Sequence, residues 1–257
     1  MVYNKYLEDI GIDARNYATN FVSDDDDRNE IWQKEKEEWG FDSRETWCMD
    51  RIFIEWLYCH LMLFQEYYQD TGRQIVIPFI NPKESYTISE WISMIKKACI
   101  SYLKTPMWSD DFLEKMNLDA LEEAVKVFAE ILIHLSLHKE IPDEKTLENQ
   151  RKLQRTLQRT LYGFDETEIY HLYYEFPKWL YSHLEMFNEV NTIATDRDML
   201  FYQGQQICMQ DVIDSLMEKL KNYLDNFSNP INPSSKEYLE MKEALFMWSE
   251  TFYAFWW

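Results

Sequence analysis

Residues that break regular structure are scarce in this chain of 257 residues, which contains only five glycines and seven prolines. A β-sandwich or β-barrel needs many turns between short strands, so this scarcity argues against such a fold. Leucine, glutamate, lysine and methionine are abundant instead, and these residues favour long helices. The composition therefore predicts an all-α protein.

Several functional motifs are also missing. The sequence contains no run of about 18 apolar residues that would predict a membrane span. Its first residues lack the basic and apolar segments of a signal peptide. The sequence contains no GxGxxG, GxSxG or P-loop motif. Cys48, Cys59, Cys99 and Cys208 form no CxxC pair and no metal-ligand spacing, which is typical of free thiols in a reducing cytoplasm. We therefore expect a cytoplasmic, non-enzymatic protein without a metal or cofactor.

Positive charge is in short supply, because 26 lysines and arginines stand against 46 aspartates and glutamates, giving a formal net charge of −20. Such a surface repels phosphates, which disfavours direct nucleic-acid binding. Two interpretations remain: the acidic surface only confers solubility, or it competes for a basic groove on another protein. The densest acidic run supplies the candidate partner-binding residues Asp24, Asp25, Asp26 and Asp27.

An internal repeat is the strongest pattern that the sequence does contain. Residues 40–66 align without a gap with residues 163–189, and 12 of these 27 positions are identical, where chance would give about two. Apolar residues at helical spacing continue the match at offsets of 121 and 120 residues. EWLYCHLMLF (55–64) and KWLYSHLEMF (178–187) are thus the matching core faces of two helices.

These offsets predict two related three-helix repeats. We divide the chain into an acidic helical extension (1–39), repeat 1 (40–142), a basic linker helix (143–162) and repeat 2 (163–257). A small β-hairpin that turns near Gly204 is expected between the first two helices of repeat 2.

Local patterns predict how the helices begin. Asp42 with Glu45, Asp165 with Glu168, and Thr87 with Glu90 have the spacing of a capping box, in which the glutamate bonds back to the first residue. Pro177 removes a backbone donor within the first helix of repeat 2, which predicts a kink about one turn upstream.

Histidines and aromatic residues offer few catalytic candidates. His134 and His138 share a helix face, but HLSLH lacks the glutamate of HExxH, so we interpret them as polar surface residues. His60 and His183 recur through the repeat, as expected of hydrogen-bonded histidines at the edge of a core. The aromatic terminus SETFYAFWW aligns with the last helix of repeat 1, which favours core packing over membrane attachment.

One row of arginines departs from the acidic average. Arg151, Arg155 and Arg159 are spaced four residues apart in RKLQRTLQRTL, so they share one helix face. Either they pair with neighbouring acids, or they bind an anion through bidentate contacts. In the second case, these arginines and the aromatic residues Trp47, Trp91 and Tyr170 form a candidate nucleotide site.

Repeat 1 carries a set of motif residues, which are Asp42, Trp47, Asp50, Leu61, Phe64, Glu66, Thr87, Glu90 and Trp91. Through such residues, each repeat resembles a family of short, uncharacterised phage-encoded helical proteins. Repeat 2 contributes Asp165, the expected hairpin at Gly204 and the ending FMWSETFYAFWW, but Tyr170 and Tyr173 replace Trp47 and Asp50. The resemblance implies a phage origin and a small accessory or counter-defence protein, here as a tandem duplication.

Together these patterns lead to two functional hypotheses. The first is a viral inhibitor in the host cytoplasm, an acidic decoy that blocks a basic host defence or nucleic-acid-handling protein. The second is a protein that sequesters a nucleotide immune signal between the arginines and aromatic residues. Both hypotheses involve binding without turnover, and the oligomeric state stays open.

Overall fold

The computed structural model describes residues 5–12, 24–67, 74–76, 85–105, 118–138, 155, 158–159, 164–190, 199–227 and 232–255. The helices with defined bounds are α1 (Lys5–Asp9), α2 (Asp26–Trp39), α3 (Met49–Tyr67), α4 (Ile88–Lys104), α5 (Leu118–His138), α6 (Glu166–Tyr170), α7 (Leu172–Val190), α8 (Met209–Asp225) and α9 (Lys236–Thr251). Short 3₁₀ segments cover Ser43–Thr46 and Phe252–Ala254. The predicted helical fold class is confirmed.

The strands form two antiparallel pairs, β1 (Gln74–Val76) with β2 (Ser85–Thr87), and β3 (Met199–Tyr202) with β4 (Gln205–Cys208). The second pair is the predicted hairpin, and Gln203 and Gly204 at its turn have positive φ angles of 50° and 75°. Such angles allow a two-residue connection that follows the twist of the strands. The first pair was not predicted, because its three-residue strands are too short to establish a period of two.

Matching helices of the two repeats have matching bounds. The bounds of α3 and α7 differ by 123 residues at both ends, and those of α4 and α8 differ by 121. In both repeats a pair of strands separates these two helices, and a third helix, α5 or α9, follows. The periodicity thus identified which segments become helices and in which order.

The capping boxes predicted from the sequence are only partly present at the helix starts. Thr87 and Glu90 form the complete capping box that their spacing predicts. Asp42 and Asp165 also cap, accepting hydrogen bonds from the backbone N–H groups two residues later. The predicted return bond from Glu45 and Glu168 is wrong, since both carboxylates lie beside histidines instead.

The α7 helix continues through Pro177 from its start at Leu172. The helical path is interrupted further upstream, at His171, where φ is −117° and ψ is 32°. Repeat 1 also changes from a 3₁₀ segment to an α-helix at the matching Trp47 and Cys48, although Ile54 occupies the position of Pro177. Proline is therefore not required for this interruption.

The chain divides into two compact units that do not follow the repeats. Unit I comprises residues 15–53 and 176–257 together with Met1, and unit II comprises residues 2–14 and 54–175. Each unit thus takes the first segment of one repeat together with the later helices of the other. The domain boundaries drawn from the sequence, which follow the repeats, stay a prediction.

Unit I has an aromatic core around Phe53, which has no exposed surface. The rings of Phe176, Trp248 and Phe252 lie 5.4–5.6 Å from it between centroids. Phe252 and Phe255 are also fully buried, which confirms core packing for the described part of the aromatic C-terminus. In unit II, α4 packs against α5 and buries one apolar face of each helix.

The cysteines are free thiols. Cys59 and Cys99 are buried, and Cys48 and Cys208 are half-buried. Burial raises the pKa of the Cys99 thiol to about 12, so Cys99 behaves as a small apolar residue at neutral pH. Among the helices that the structure describes, none combines the length and the apolar character that crossing a bilayer requires.

Candidate functional site

The acidic run lies at the start of α2 in unit I, where all four aspartates are exposed. Asp25 is the N-cap residue, and its side chain accepts a hydrogen bond of 3.1 Å from the backbone N–H of Asp27. Asp26 and Asp27 occupy the first turn, where the helix dipole favours negative charge. The run therefore stabilises its own helix and still presents carboxylates to solvent.

The exposed surface of α2 extends this negative charge along the helix. Glu30, Glu37 and Glu38 are exposed beyond the first turn, and Ile31 among them has 51% of its surface exposed. We call Asp24–Asp27 with these three glutamates the α2 acidic face. Lys34 and Arg28 are the exposed cations of this helix, so the face remains strongly negative.

The arginine row is only partly described, because Arg151 lies outside the described residues. Arg155 is half-buried, and Arg159 has 65% of its side chain exposed. The Nε–H of Arg159 donates to Oδ2 of Asp165 at 2.6 Å. Asp165 is the N-cap of α6, so this arginine stabilises a helix start in unit II.

An equivalent contact occurs 123 residues earlier in the chain. Lys36 of α2 lies 3.0 Å from Oδ2 of Asp42, the N-cap residue of the 3₁₀ segment. Both cations stand six residues before the aspartate that they contact. Arg159, whose backbone is helical, thus contacts its N-cap aspartate from the same relative position as Lys36.

The two N-cap aspartates, Asp42 and Asp165, differ in the groups that bind their carboxylates. Asp42 has no exposed surface, and Arg44 binds it in bidentate fashion at 2.6 and 2.8 Å. Burial acts to raise the pKa of Asp42, but hydrogen bonds from Arg44 and Lys36 outweigh it and hold the pKa below its usual value. Burial likewise opposes the hydrogen bonds from Thr167 and Arg159 at Asp165, whose pKa is also lowered.

The aromatic residues proposed for nucleotide binding serve different local purposes. Trp47 in unit I packs edge-on against Trp32 at 6.0 Å between centroids, and the guanidinium of Arg44 lies 4.4 Å above the Trp32 ring. Trp91 in unit II is 2% exposed and packs against Tyr86. The Tyr170 side chain lies outside the described part. Trp91 thus has little ring surface for stacking on a base.

Two histidine clusters were recognised in the sequence only as core-edge residues. In unit I the His183 ring lies between Trp179 and Phe41, with centroids 4.2 and 3.9 Å away. Its Nδ1–H donates to the Trp179 carbonyl at 2.9 Å, and its Nε2 lies 3.6 Å from a carboxylate oxygen of Glu45. The prediction of a hydrogen-bonded histidine is confirmed.

Unit II repeats this arrangement with different residues. His60 lies between Trp56 and Phe164, at 3.9 Å from each ring centroid, and its Nε2 is 3.5 Å from Glu168. In each cluster the tryptophan and histidine come from one repeat, and the phenylalanine and glutamate come from the other. No sequence pattern indicated this long-range role, because the spacing of Glu45 and Glu168 is that of capping residues and each phenylalanine lies far along the chain from its histidine.

Both histidine Nε2 atoms are buried and have no hydrogen-bond partner among the described residues. A catalytic base must reach its substrate. The two histidine rings are covered on both faces and are 3% exposed, so a substrate has no room beside them. Within the described ranges, no three His, Cys, Asp or Glu side chains converge as metal ligands. The His134 and His138 side chains lie outside those ranges.

Comparison of the chain with protein-family models, curated proteins and solved structures gives no significant match.

Proposed function

We propose that this protein acts by occupancy as an acidic decoy, binding and blocking a basic, nucleic-acid-handling host protein. The single observation that supports this proposal is the α2 acidic face, which concentrates exposed carboxylates on a chain with a net charge of −20. A surface of this kind resembles a nucleic-acid backbone in charge and attracts the same basic channels.

The carboxylates of the run are available for a partner. Among the described residues, Asp24, Asp26 and Asp27 take part in no ion pair or side-chain hydrogen bond. Only the Asp25 side chain is engaged, as the helix cap. A basic partner can therefore bind three carboxylates without breaking an internal contact.

The proposal includes a non-enzymatic mode of action and a counter-defence role in the cytoplasm of a phage-infected host. Binding without turnover is supported by the burial of the two histidine clusters of the described residues, those of His60 and His183. Binding by an exposed acidic surface requires no such closed site. The resemblance of the repeats to phage-encoded proteins points to a defence protein as the partner.

The experiment compares two triple variants with equal net charge. Asp24→Asn, Asp26→Asn and Asp27→Asn remove three charges from the run and keep the Asp25 cap. The matched control variant, Glu189→Gln, Asp214→Asn and Glu218→Gln, removes three exposed charges from α7 and α8. Both variants change the net charge from −20 to −17.

The partner is first captured from host lysate and identified by mass spectrometry, and association rates are then measured at about 50 and about 200 mM NaCl. The run variant should associate roughly tenfold more slowly than the control variant, because local charge steers the encounter. Wild-type association should slow markedly at the higher salt concentration. Equal rates for both variants, or a rate independent of salt, would contradict the decoy function.

A further inference from the structure

A cleft of about 350 Å³ lies between α4 and α5 in unit II. Its wall is mainly apolar and includes Trp91, Ile95, Leu121 and Val127. Its volume lies within the range of about 300–1,000 Å³ that is usual for ligand pockets. The cleft therefore has room for at least one large apolar group.

The cleft is open to solvent along a polar rim. Met94, Lys97, Ser101 and Glu123 line it and are exposed. Lys97 and Glu123 form no ion pair among the described residues. An occupant thus meets an apolar floor and two charged side chains that have no other partner there.

Repeat 2 carries polar contacts across the matching pair of helices. The matching helices α8 and α9 are bridged by Lys219 and Glu243, whose charged atoms are 3.6 Å apart. A second bridge runs from the Asn222 amide to the Glu240 carboxylate. We call these two contacts the repeat 2 latch.

Three substitutions remove this latch from repeat 1. At the offsets of 121 and 120 residues, Ala98 stands in place of Lys219, Ser101 in place of Asn222, and Ala120 in place of Glu240. Glu123, the counterpart of Glu243, is retained without its lysine. Small side chains at these positions leave the groove open and leave Glu123 accessible.

We propose that this cleft binds an apolar side chain of a basic amphipathic segment, with Glu123 pairing with a lysine or arginine of that segment. This inference rests on the proposed function, because it names the part of the basic partner that is recognised. An amphipathic helix that lays apolar side chains into a groove is a common mode of peptide recognition.

Charge complementarity selects a basic occupant. Asp119 is exposed on α5 one turn before Glu123, so the α5 rim carries two carboxylates near the cleft. The net charge of −20 attracts cations to this rim and repels anionic ligands. Lys97 on the opposite rim orients the segment, because its basic residues are repelled from α4 and directed toward α5.

The test transplants the latch into repeat 1. The variant Ala98→Lys, Ser101→Asn and Ala120→Glu copies contacts that this chain already makes in repeat 2, and it keeps the net charge at −20. The variant Ala98→Leu fills the cleft without a new charge and serves if the triple variant does not fold. Wild-type and variant proteins are checked by circular dichroism before binding is measured.

The probe is a synthetic helical peptide of lysines and leucines with its leucines on one face. Two control peptides replace its leucines by serines or its lysines by glutamates. Binding is followed by NMR of methyl-labelled methionines. Met94 lines the cleft, and the exposed Met199 on β3 in unit I reports contacts elsewhere.

The lysine–leucine peptide should shift the Met94 resonance and not that of Met199. Its affinity should fall roughly tenfold or more in the latch variant, because an anchoring side chain loses its pocket. Glu123→Gln should weaken binding, whereas Lys97→Gln should not. The inference is overturned if Met94 does not respond, if the latch leaves the affinity within twofold, or if the glutamate peptide binds equally well.

The two proposals fail separately. If the peptide requires the open cleft but the captured host partner ignores the α2 acidic face, the cleft stands and the decoy function falls. If the host partner depends on Asp24, Asp26 and Asp27 but binds the latch variant normally, the decoy function stands and the cleft is not its docking site. Concentration-dependent dimerisation that the latch abolishes would assign the cleft to a second copy and overturn the inference.

Discussion

The Asp42 carboxylate is fully buried, and it depends on two cations that differ in their own exposure. Arg44 is itself 8% exposed, whereas Lys36 is 35% exposed. At the matching position, Asp165 is 1% exposed, but its arginine is 65% exposed. The two equivalent aspartates thus pair with cations of different exposure. Removing the carboxylate charge should therefore affect stability differently at Asp42 and at Asp165.

We expect Asp42→Asn to lower the free energy of unfolding by about 3 kcal/mol at neutral pH, because it removes the buried carboxylate charge that binds the buried Arg44 guanidinium in bidentate fashion. Asp165→Asn should cost about 1 kcal/mol, since water solvates Arg159 and asparagine still caps the helix. Urea unfolding of both variants measures the difference. Equal costs would show that burial of the cation does not determine the effect.

The lowered pKa of Asp42 also determines how its contribution to the free energy of unfolding changes with pH. The folded-state pKa of Asp42 lies below its usual value. Its contribution to the free energy of unfolding is therefore fully present above the unfolded pKa of about 3.9 and is lost as the pH falls through the folded-state pKa. The gap in stability between wild type and Asp42→Asn should therefore narrow below about pH 4. Unfolding titrations from neutral to strongly acidic pH check this, and a constant gap would contradict the lowered pKa.

At the scale of secondary structure, α4 and α8 are matching helices with unequal starts. Thr87 caps α4 with a complete capping box. Cys208 occupies the same position before α8 with an extended backbone, φ −67° and ψ 139°, and its side chain makes no capping hydrogen bond. The duplicated helix thus lacks one interaction that its counterpart has.

Thr87→Ala should lower the free energy of unfolding by about 1 kcal/mol, because it leaves a first-turn N–H without its acceptor. Cys208→Ser should raise it by about 0.5–1 kcal/mol, because serine places an acceptor where the backbone already has cap geometry. Chemical denaturation of both variants measures these opposite effects. Cys208→Ala is the matched control and should bring no gain.

At the scale of the whole molecule, the excess of 20 negative charges affects stability as well as binding. Like charges repel more strongly in the compact state than in the expanded unfolded chain. The available ion pairs offset only part of this, since several of them, such as Lys221 with Asp225, lie at the exposed surface, where pairs contribute little.

Raising NaCl from about 10 to about 150 mM should therefore stabilise the protein by about 1 kcal/mol, which corresponds to a rise in Tm of about 2–4 °C. The mechanism is screening of repulsion, so sodium chloride and potassium chloride should act alike. The run variant, which combines Asp24→Asn, Asp26→Asn and Asp27→Asn, should gain less than wild type because it has less repulsion to screen. A Tm that falls or stays constant with salt would contradict net repulsion.

The sequence by itself determined what depends on neighbours in the chain. Apolar spacing placed α3 and α7 because a helix buries one face every three to four residues. Gly204 marked the hairpin because a tight turn needs positive φ angles. The exposed run Asp24–Asp27 followed from its polarity alone.

Only the tertiary structure decided which distant groups meet. Glu45 has the spacing of a capping residue, but packing places its carboxylate beside His183, 138 positions away. Ala98 and Ala120 look like ordinary helix residues, and their effect appears only because α4 and α5 pack together and leave a cleft. Local patterns determine the conformation of a segment. The partner of a side chain depends instead on which surfaces folding brings into contact, and the spacing of residues along the chain does not encode these long-range contacts.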